Sequence, residues 1–219
     1  MRYFEISSSG GTKRWFIGDV PWSAKKASWE FIKCKRIAKW SPQIVRGNKT
    51  RVFEDMPDTV CTTPLASEAL KQFLEREAPD TAQFLPVRME GPNVDEAHRS
   101  YWVINWLKSV DCLDKARSLN EYPPEDGGGV FKEWTVIDPS RIPADFVVGR
   151  LNMGLGGDTM SRVLIRDDLM HRIIKAKFKG PQFTAVWHSK DRGAPAALWK
   201  PGGGRVERDA PDGPWPGYR

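Results

Sequence analysis

The chain has 219 residues, of which 40% are hydrophobic and 28% charged, and it carries ten tryptophans; that is enough apolar material for one well-packed domain and too much for a disordered protein. No apolar run approaches the roughly 20 residues needed to cross a bilayer, and the opening MRYFEISSSGG, with one Arg and few apolar residues, lacks the pattern of a signal peptide. The net charge of +6 hides an asymmetry: residues 1–52 hold 12 Lys and Arg against three acids, whereas residues 53–188 hold 16 basic and 21 acidic side chains, so a basic N-terminal region on a mildly acidic body would meet an acidic partner or a phosphate backbone first.

Residues 2–7 and 15–20 predict two short strands, with Ser-Ser-Ser-Gly-Gly between them as a turn. From 22 to 51 aromatic and basic residues interleave: Trp22, Lys25, Lys26, Trp29, Phe31, Lys33, Lys35, Arg36, Lys39 and Trp40. Here two periods compete. Trp29, Phe31, Lys33 and Lys35 alternate as in a strand, while Trp29, Ile32, Arg36 and Lys39 suit a helix. Next, Val60-Cys61-Thr62 predicts a strand, and Thr63 and Pro64 supply the N-cap and first position of a helix over 65–77. Leu65, Ala69, Leu70, Phe73 and Leu74 form its apolar side. A returning strand is expected over 83–89.

Residues 100–110 and 130–138 also read as strands, joined through the loop Pro123-Pro124-Glu125-Asp126-Gly127-Gly128-Gly129. A second strand–helix–strand unit follows. Val163-Leu164-Ile165 is its first strand. Asp167 or Asp168 caps a helix through 177 whose stripe is Leu169, Ile173, Ile174 and Phe178; Gly180 closes it, and 182–187 returns. The two units suggest either an internal duplication or two solutions to one packing need. The last 32 residues hold six Gly and five Pro, a density that does not sustain regular structure. They are expected to be disordered, or extended with Trp199 and Trp215 as anchors. The expected whole is α+β: a largely antiparallel sheet with a few packed helices in a single domain. Its divisions are a basic region at 1–58, a core at 59–187 and a Pro/Gly-rich tail at 188–219.

The chemistry that these residues permit is limited. Cys34, Cys61 and Cys112 are odd in number and share no metal-ligand or redox spacing, which suits reduced, buried thiols in a cytoplasmic protein. His98, His171 and His188 could each activate one of them, but none sits in a recognisable nucleophile setting. Asp111 and Asp114, three apart, have a spacing that metal ligation or acid–base catalysis could use. With no His near them in sequence, they fit better as caps of backbone N–H groups or as partners of Lys115 or Arg117. Gly154-Leu155-Gly156-Gly157-Asp158-Thr159 lacks the lysine and the strand–helix setting of a phosphate-binding loop. Lys and Arg interleaved with Trp and Phe in the N-terminal block could bind single-stranded nucleic acid by phosphate contact and stacking. Tryptophans at this spacing equally suit a core.

The stretch from 100 to 118, SYWVINWLKSVDCLDKARS, carries the most specific pattern. Tyr101-Trp102-Val103-Ile104 is β-branched and aromatic, Asn105 interrupts the run, and Asp111 and Asp114 bracket Cys112 and Leu113. This resembles the aromatic-x-x-x-Asn and Asp-Cys-x-Asp signature of the myxococcal-type immunity-protein domain family, antidotes of bacterial polymorphic or type VI-secreted toxins. Gln83-Phe84-Leu85-Pro86-Val87 is similar to the family's Phe-x-Pro-Val strand. Val136-Ile137-Asp138-Pro139-Ser140-Arg141-Ile142-Pro143 is similar to its strand and Asp-Pro-Ser turn. Val163-Leu164-Ile165-Arg166-Asp167 through Gly180-x-x-Phe183 is similar to its last helix and strand. The ordered motifs span roughly 59–187. The resemblance implies a cytoplasmic antidote that binds a cognate protein toxin, encoded by an adjacent gene, stoichiometrically and without catalysis, metal or cofactor. Trp106, Asp111, Asp114, Arg117, Lys33 and Arg36 are the residues expected to contact it. Neither a membrane nor a nucleic acid is the expected partner; the competing reading is a nucleic-acid-binding accessory protein using the basic-aromatic block.

Overall fold

The computed structural model describes residues 1–8, 16–19, 31, 33–47, 53–59, 64–91, 94–95, 99–114, 117–120, 133–152 and 162–191. In chain order the elements of the first half are β1 (Tyr3–Ser8), β2 (Phe16–Asp19), β3 (Gln43–Gly47), β4 (Asp58–Thr59), β5 (Leu65–Ser67), α1 (Glu68–Glu77), β6 (Ala82–Glu90) and β7 (Ser100–Trp106). Then come β8 (Ser109–Val110), β9 (Leu119–Asn120), β10 (Glu133–Trp134), β11 (Val136–Ile137), a 3₁₀ turn (Pro139–Arg141) and β12 (Val148–Leu151). The last are β13 (Val163–Arg166), α2 (Asp167–Lys175), β14 (Pro181–Ala185) and β15 (Trp187–His188).

The strands form two main sheets where one was expected. One has the order β14-β1-β13-β12-β8, the other β4-β2-β3-β6-β7-β5. Seven of the eleven described pairings are antiparallel, so the fold is α+β with mostly antiparallel strands. The expected pair of N-terminal strands exists, but β1 and β2 lie in different sheets. Residues 9–15 between them, most of the expected turn, lie outside the described residues.

The two strand–helix–strand units share a topology. In β5–α1–β6 the two strands flank β7, and in β13–α2–β14 they flank β1, the inserted strand being antiparallel to both neighbours each time. Each is a split β-α-β unit. The two helices pack together between the sheets. One central core collects Phe4, Ile6, Leu70, Phe73, Leu74, Ile104, Trp106, Val148, Ile165, Leu169 and Met170. Arg172 of α2 donates to Glu77 of α1 at 2.6 Å, and Phe73 meets Phe178 edge-on with ring centroids 5.1 Å apart.

Two helix expectations need correction. α1 begins at Glu68, not after Thr63 and Pro64, because Leu65–Ser67 pair with Val103, Trp102 and Tyr101 as a strand. Ser67 is the N-cap, its hydroxyl accepting the Leu70 N–H at 3.2 Å. On α2 the N-cap residue Arg166 makes no side-chain capping bond, but Asp167, in the first turn, accepts the Asp168 N–H on its carboxylate at 2.9 Å, and both acids favour the positive end of the helix dipole. The buried positions are Leu169, Met170 and Ile173, whereas Ile174 is exposed. The helix stops at Lys175, and Lys177 already has a left-handed φ of 59°.

Each sheet has a second apolar face. Leu65, Val103 and Leu85 align across three strands and join Phe31, Val45, Val87, Met89 and Tyr101 in an outer core. Tyr3, Val110, Cys112, Leu113, Ile137, Phe146 and Leu164 form another on the far side of the five-stranded sheet. There His188 packs its ring against Tyr3, with Asp191, Arg2, the N-terminal amine and Asp167 as its charged surroundings. Burial, the largest influence, holds this imidazole below its ordinary value. The unfolded chain therefore binds a proton more readily than the folded one, and stability is lost as pH falls past about 6.5. Thermal midpoints measured between about pH 7.5 and 5.5 should decline, and His188→Gln should flatten that decline. An unchanged slope in the variant would place the pH dependence elsewhere.

Among the described residues no helix is long and apolar enough to cross a membrane. Cys61, the glycine-rich stretch at 154–159, the loop at 123–129 and the tail beyond 191 lie outside the described residues.

Candidate functional site

Of the ambiguous basic stretch, residues 33–40 are neither strand nor helix, residues 43–47 form β3, and residues 22–30, 32 and 48–51 lie outside the described residues. Residues 33–40 form an irregular strap over the outer face of the six-stranded sheet. Phe31 is in the outer core, and Ile37 and Trp40 pack against it. With Cys34, whose Sγ donates to the Lys108 carbonyl at 3.6 Å, the inward positions recur every third residue. That period fits neither the twofold alternation of a strand nor the 3.6-residue repeat of a helix. Cys34 makes the bend, with φ at 53° and its N–H donating to the Phe31 carbonyl. Lys33, Lys35, Arg36 and Lys39 are left exposed, and Lys108 is exposed beside the Cys34 contact.

Two amide side chains fasten the strap. Gln83 on β6 accepts the Ile37 N–H at 2.8 Å and donates to the Ile37 carbonyl at 3.0 Å, as a neighbouring strand's backbone would. Asn105 on β7 donates to the Lys35 carbonyl at 2.8 Å and to the Gln83 side-chain oxygen at 3.1 Å. Further along, the Trp40 indole N–H donates to the Pro86 carbonyl at 2.9 Å. Arg36 approaches Asp80 at 3.9 Å, with both side chains well exposed; such a pair contributes only about 0–1 kcal/mol and leaves the guanidinium accessible.

The nominated residues fall into three groups. Lys33 and Arg36 are on the strap's outer side. Trp106 is not on a surface: it is 1% exposed in the central core, because β7 is covered on both faces and its inward-facing alternate positions all lie under α1. Asp111, Asp114 and Arg117 belong to a turn stitched into the protein. The Asp114 N–H donates to the Val136 carbonyl at 2.9 Å, the Asp138 N–H to the Cys112 carbonyl at 2.8 Å, and the Arg117 and Ser118 N–H groups to the Asp114 carbonyl. The Asp111 carboxylate pairs with Arg141 at 3.0 Å and that of Asp114 with Arg117 at 3.6 Å. Arg117 also donates to the Ser189 carbonyl at 2.6 Å. Pairing with Arg117 matches one of the expectations for this turn. Arg141 as the partner of Asp111 was not foreseen, because it lies a whole strand away in sequence.

The neighbouring Asp-Pro-Ser turn is built by Asp138, whose carboxylate accepts the Ser140 N–H at 3.0 Å and its hydroxyl at 2.6 Å. Those hydrogen bonds hold the acid below the usual carboxylate range. Burial raises the Cys112 thiol to about 12, the opposite of what a reactive cysteine needs. His171 is exposed, its Nδ1 hydrogen-bonded to the Asp167 carbonyl at 2.7 Å. Among the described residues no group of three or more His, Cys, Asp or Glu is placed to hold a metal ion.

Gln83 and Asn105 were not foreseen as part of a site. A signal was present: an Asn inside an otherwise apolar buried strand must be hydrogen-bonded or costs stability. Which backbone it holds is visible only in three dimensions. The family model described as "Immunity protein family (Imm11)" matches residues 12–188. That span begins well upstream of the 59–187 motif region and includes the strap. No curated protein matches the chain.

Proposed function

Because the chain belongs to the immunity protein family Imm11, we propose that it neutralises a cognate bacterial toxin by stoichiometric binding, with no chemistry of its own. The family match over residues 12–188 is the observation that carries this reading. The site geometry supports a binder. The two carboxylates with a catalytic spacing are engaged in ion pairs with Arg141 and Arg117, and the buried Cys112 thiol is held protonated. The toxin is one delivered by a type VI or other polymorphic system and acts in the cytoplasm, where the antidote waits for it. Its contacts are drawn from Lys33 and Arg36 on the strap and from Asp111, Asp114 and Arg117 on the turn after β8. Trp106, buried in the central core, contributes through the packing of β7.

An antidote has to suppress nearly all free toxin, so the complex should be nanomolar or tighter, which corresponds to about 12 kcal/mol of binding free energy. Co-expression with the toxin encoded by the adjacent gene should restore growth, and the two should co-purify in equal amounts. Rescue by an unrelated immunity protein, with none by this chain, would overturn the proposal.

A further inference from the structure

We propose that the strap formed by residues 33–40, together with Lys108, is the docking face for an acidic protein surface on the toxin, and that Gln83 and Asn105 are positioning residues that hold its cations in place. This rests on the reading of the chain as a toxin binder and names the chemistry of the surface that it meets.

The charge is projected outward as a group. Lys33, Lys35, Arg36, Lys39 and Lys108 are all exposed. Neighbouring cations on the strap are at most three residues apart, which limits their backbones to about 10 Å. That is close to the Debye length of about 8 Å at physiological salt, so their fields add at an approaching surface. Asp80, 3.9 Å from Arg36, offsets one of these charges only, in a pair so exposed that solvent screens it.

The backbone that carries these cations is pre-organised. Asn105 is fully buried on a strand where an apolar residue would add to the outer core. Its amide N–H groups are committed to Lys35 and Gln83, while among the described residues its carbonyl oxygen has no hydrogen-bond partner. An orphaned buried carbonyl costs stability, and the return visible in the structure is the fixed path of the strap. Ordering before binding lowers the entropy lost on association.

The described aromatic residues favour an acidic protein over a nucleic acid; Trp22 and Trp29 of the same block lie outside the described residues. Non-specific binding of single strands needs exposed aromatic faces on which bases stack. Phe31 is buried, and Trp40 turns inward to meet it edge-on with ring centroids 6.2 Å apart. On the other face of the sheet Trp102 is tied down as well, its indole donating to Glu68 at 2.5 Å and its ring lying under the Lys71 ammonium. Among the described residues, the strap thus offers cations without a stacking platform, a combination suited to carboxylates on a protein.

The test compares the full-length chain with the triple variant Lys33→Glu/Lys35→Glu/Lys39→Glu, using the protein encoded by the adjacent gene in a catalytically inactive form as the probe. Association and dissociation are followed from about 50 to 300 mM salt. For the wild type, salt should slow association and leave dissociation nearly unchanged. The triple variant should associate roughly 10- to 100-fold more slowly at low salt, lose that salt dependence and keep its melting temperature. If the reversal impairs folding, the neutral Lys→Gln triple should show the same loss to a smaller degree. Gln83→Ala, which keeps every cation, should reduce the association rate and accelerate hydrogen exchange at the Ile37 amide. If the wild type binds the probe but the triple variant associates within about twofold of it, the docking face is elsewhere and the toxin-binding reading survives. If the wild type does not bind the probe, that reading falls and the docking face with it. Submicromolar binding of a single-stranded oligonucleotide at about 150 mM salt, lost in the triple variant, would overturn the acidic-protein assignment in favour of nucleic acid.

Discussion

Trp106→Ala is expected to unfold the protein well before it changes any interface. Among the described residues the indole is the largest fully buried side chain, packed in the central core with Leu70, Phe73 and Ile104. Truncating a buried Trp to Ala costs about 3–5 kcal/mol through lost transfer energy and the cavity left behind. Against a total stability of about 5–15 kcal/mol that is a large fraction. At roughly 2–4 °C per kcal/mol for a chain of this size, the melting temperature should fall by about 6–20 °C. Trp106→Phe should be much milder. Among the described residues the buried indole N–H has no hydrogen-bond partner, so the smaller ring removes an unsatisfied donor that costs about 1–3 kcal/mol. Thermal and urea unfolding of both variants would check this. Unchanged melting of Trp106→Ala together with a large loss of toxin affinity would return the residue to the interface.

The second large effect is expected at Gly180. Its φ of 100° is open to glycine and strained for any residue with a side chain. A Cβ built there would lie 2.2 Å from the Met56 carbonyl oxygen. The turn from 177 to 181 lies directly on residues 55–56: the Met56 N–H donates to the Lys179 carbonyl at 3.1 Å and the Lys179 N–H to the Asp55 carboxylate at 2.8 Å. Asp55 in turn accepts the Ser67 hydroxyl at 2.7 Å, just where α1 begins. Gly180→Ala must therefore push apart the junction between the two split units. The backbone strain alone is worth about 1–3 kcal/mol, and each displaced hydrogen bond adds about 1 kcal/mol. A urea midpoint near that of the wild type would mean that the turn relaxes away from Met56 without loss. The Met56 amide should also exchange faster in the variant, since its acceptor moves with Gly180.

Much of this fold was legible from local pattern. The apolar run Tyr101-Val103 with Ile104 became β7, the stripe Leu70, Phe73 and Leu74 became the buried side of α1, and Val163-Leu164-Ile165 became β13. The repeated strand–helix–strand arrangement was visible too, because each unit is continuous in sequence. Identification of the immunity family came from the order of short motifs, and the family match supports it. The positions of the cations were likewise plain from the sequence.

What only the tertiary structure decided depends on contacts between distant residues. Phe4 lies between Ile165 and Ala185, more than 150 residues away, and nothing local to β1 indicates that it leaves β2 to join another sheet. The twofold alternation along β7 does not reveal an exposed face when a helix covers one side and the strap covers the other, so Trp106 looked available from the sequence and is buried. The strap itself defeated both periodic templates because its inward positions follow the spacing of its anchors, set by Gln83 and Asn105 on other strands. Local sequence determined the elements and their charges. The partners each element finds, and therefore which side chains remain for a toxin to meet, were decided by long-range packing and by the need of buried polar groups for hydrogen bonds.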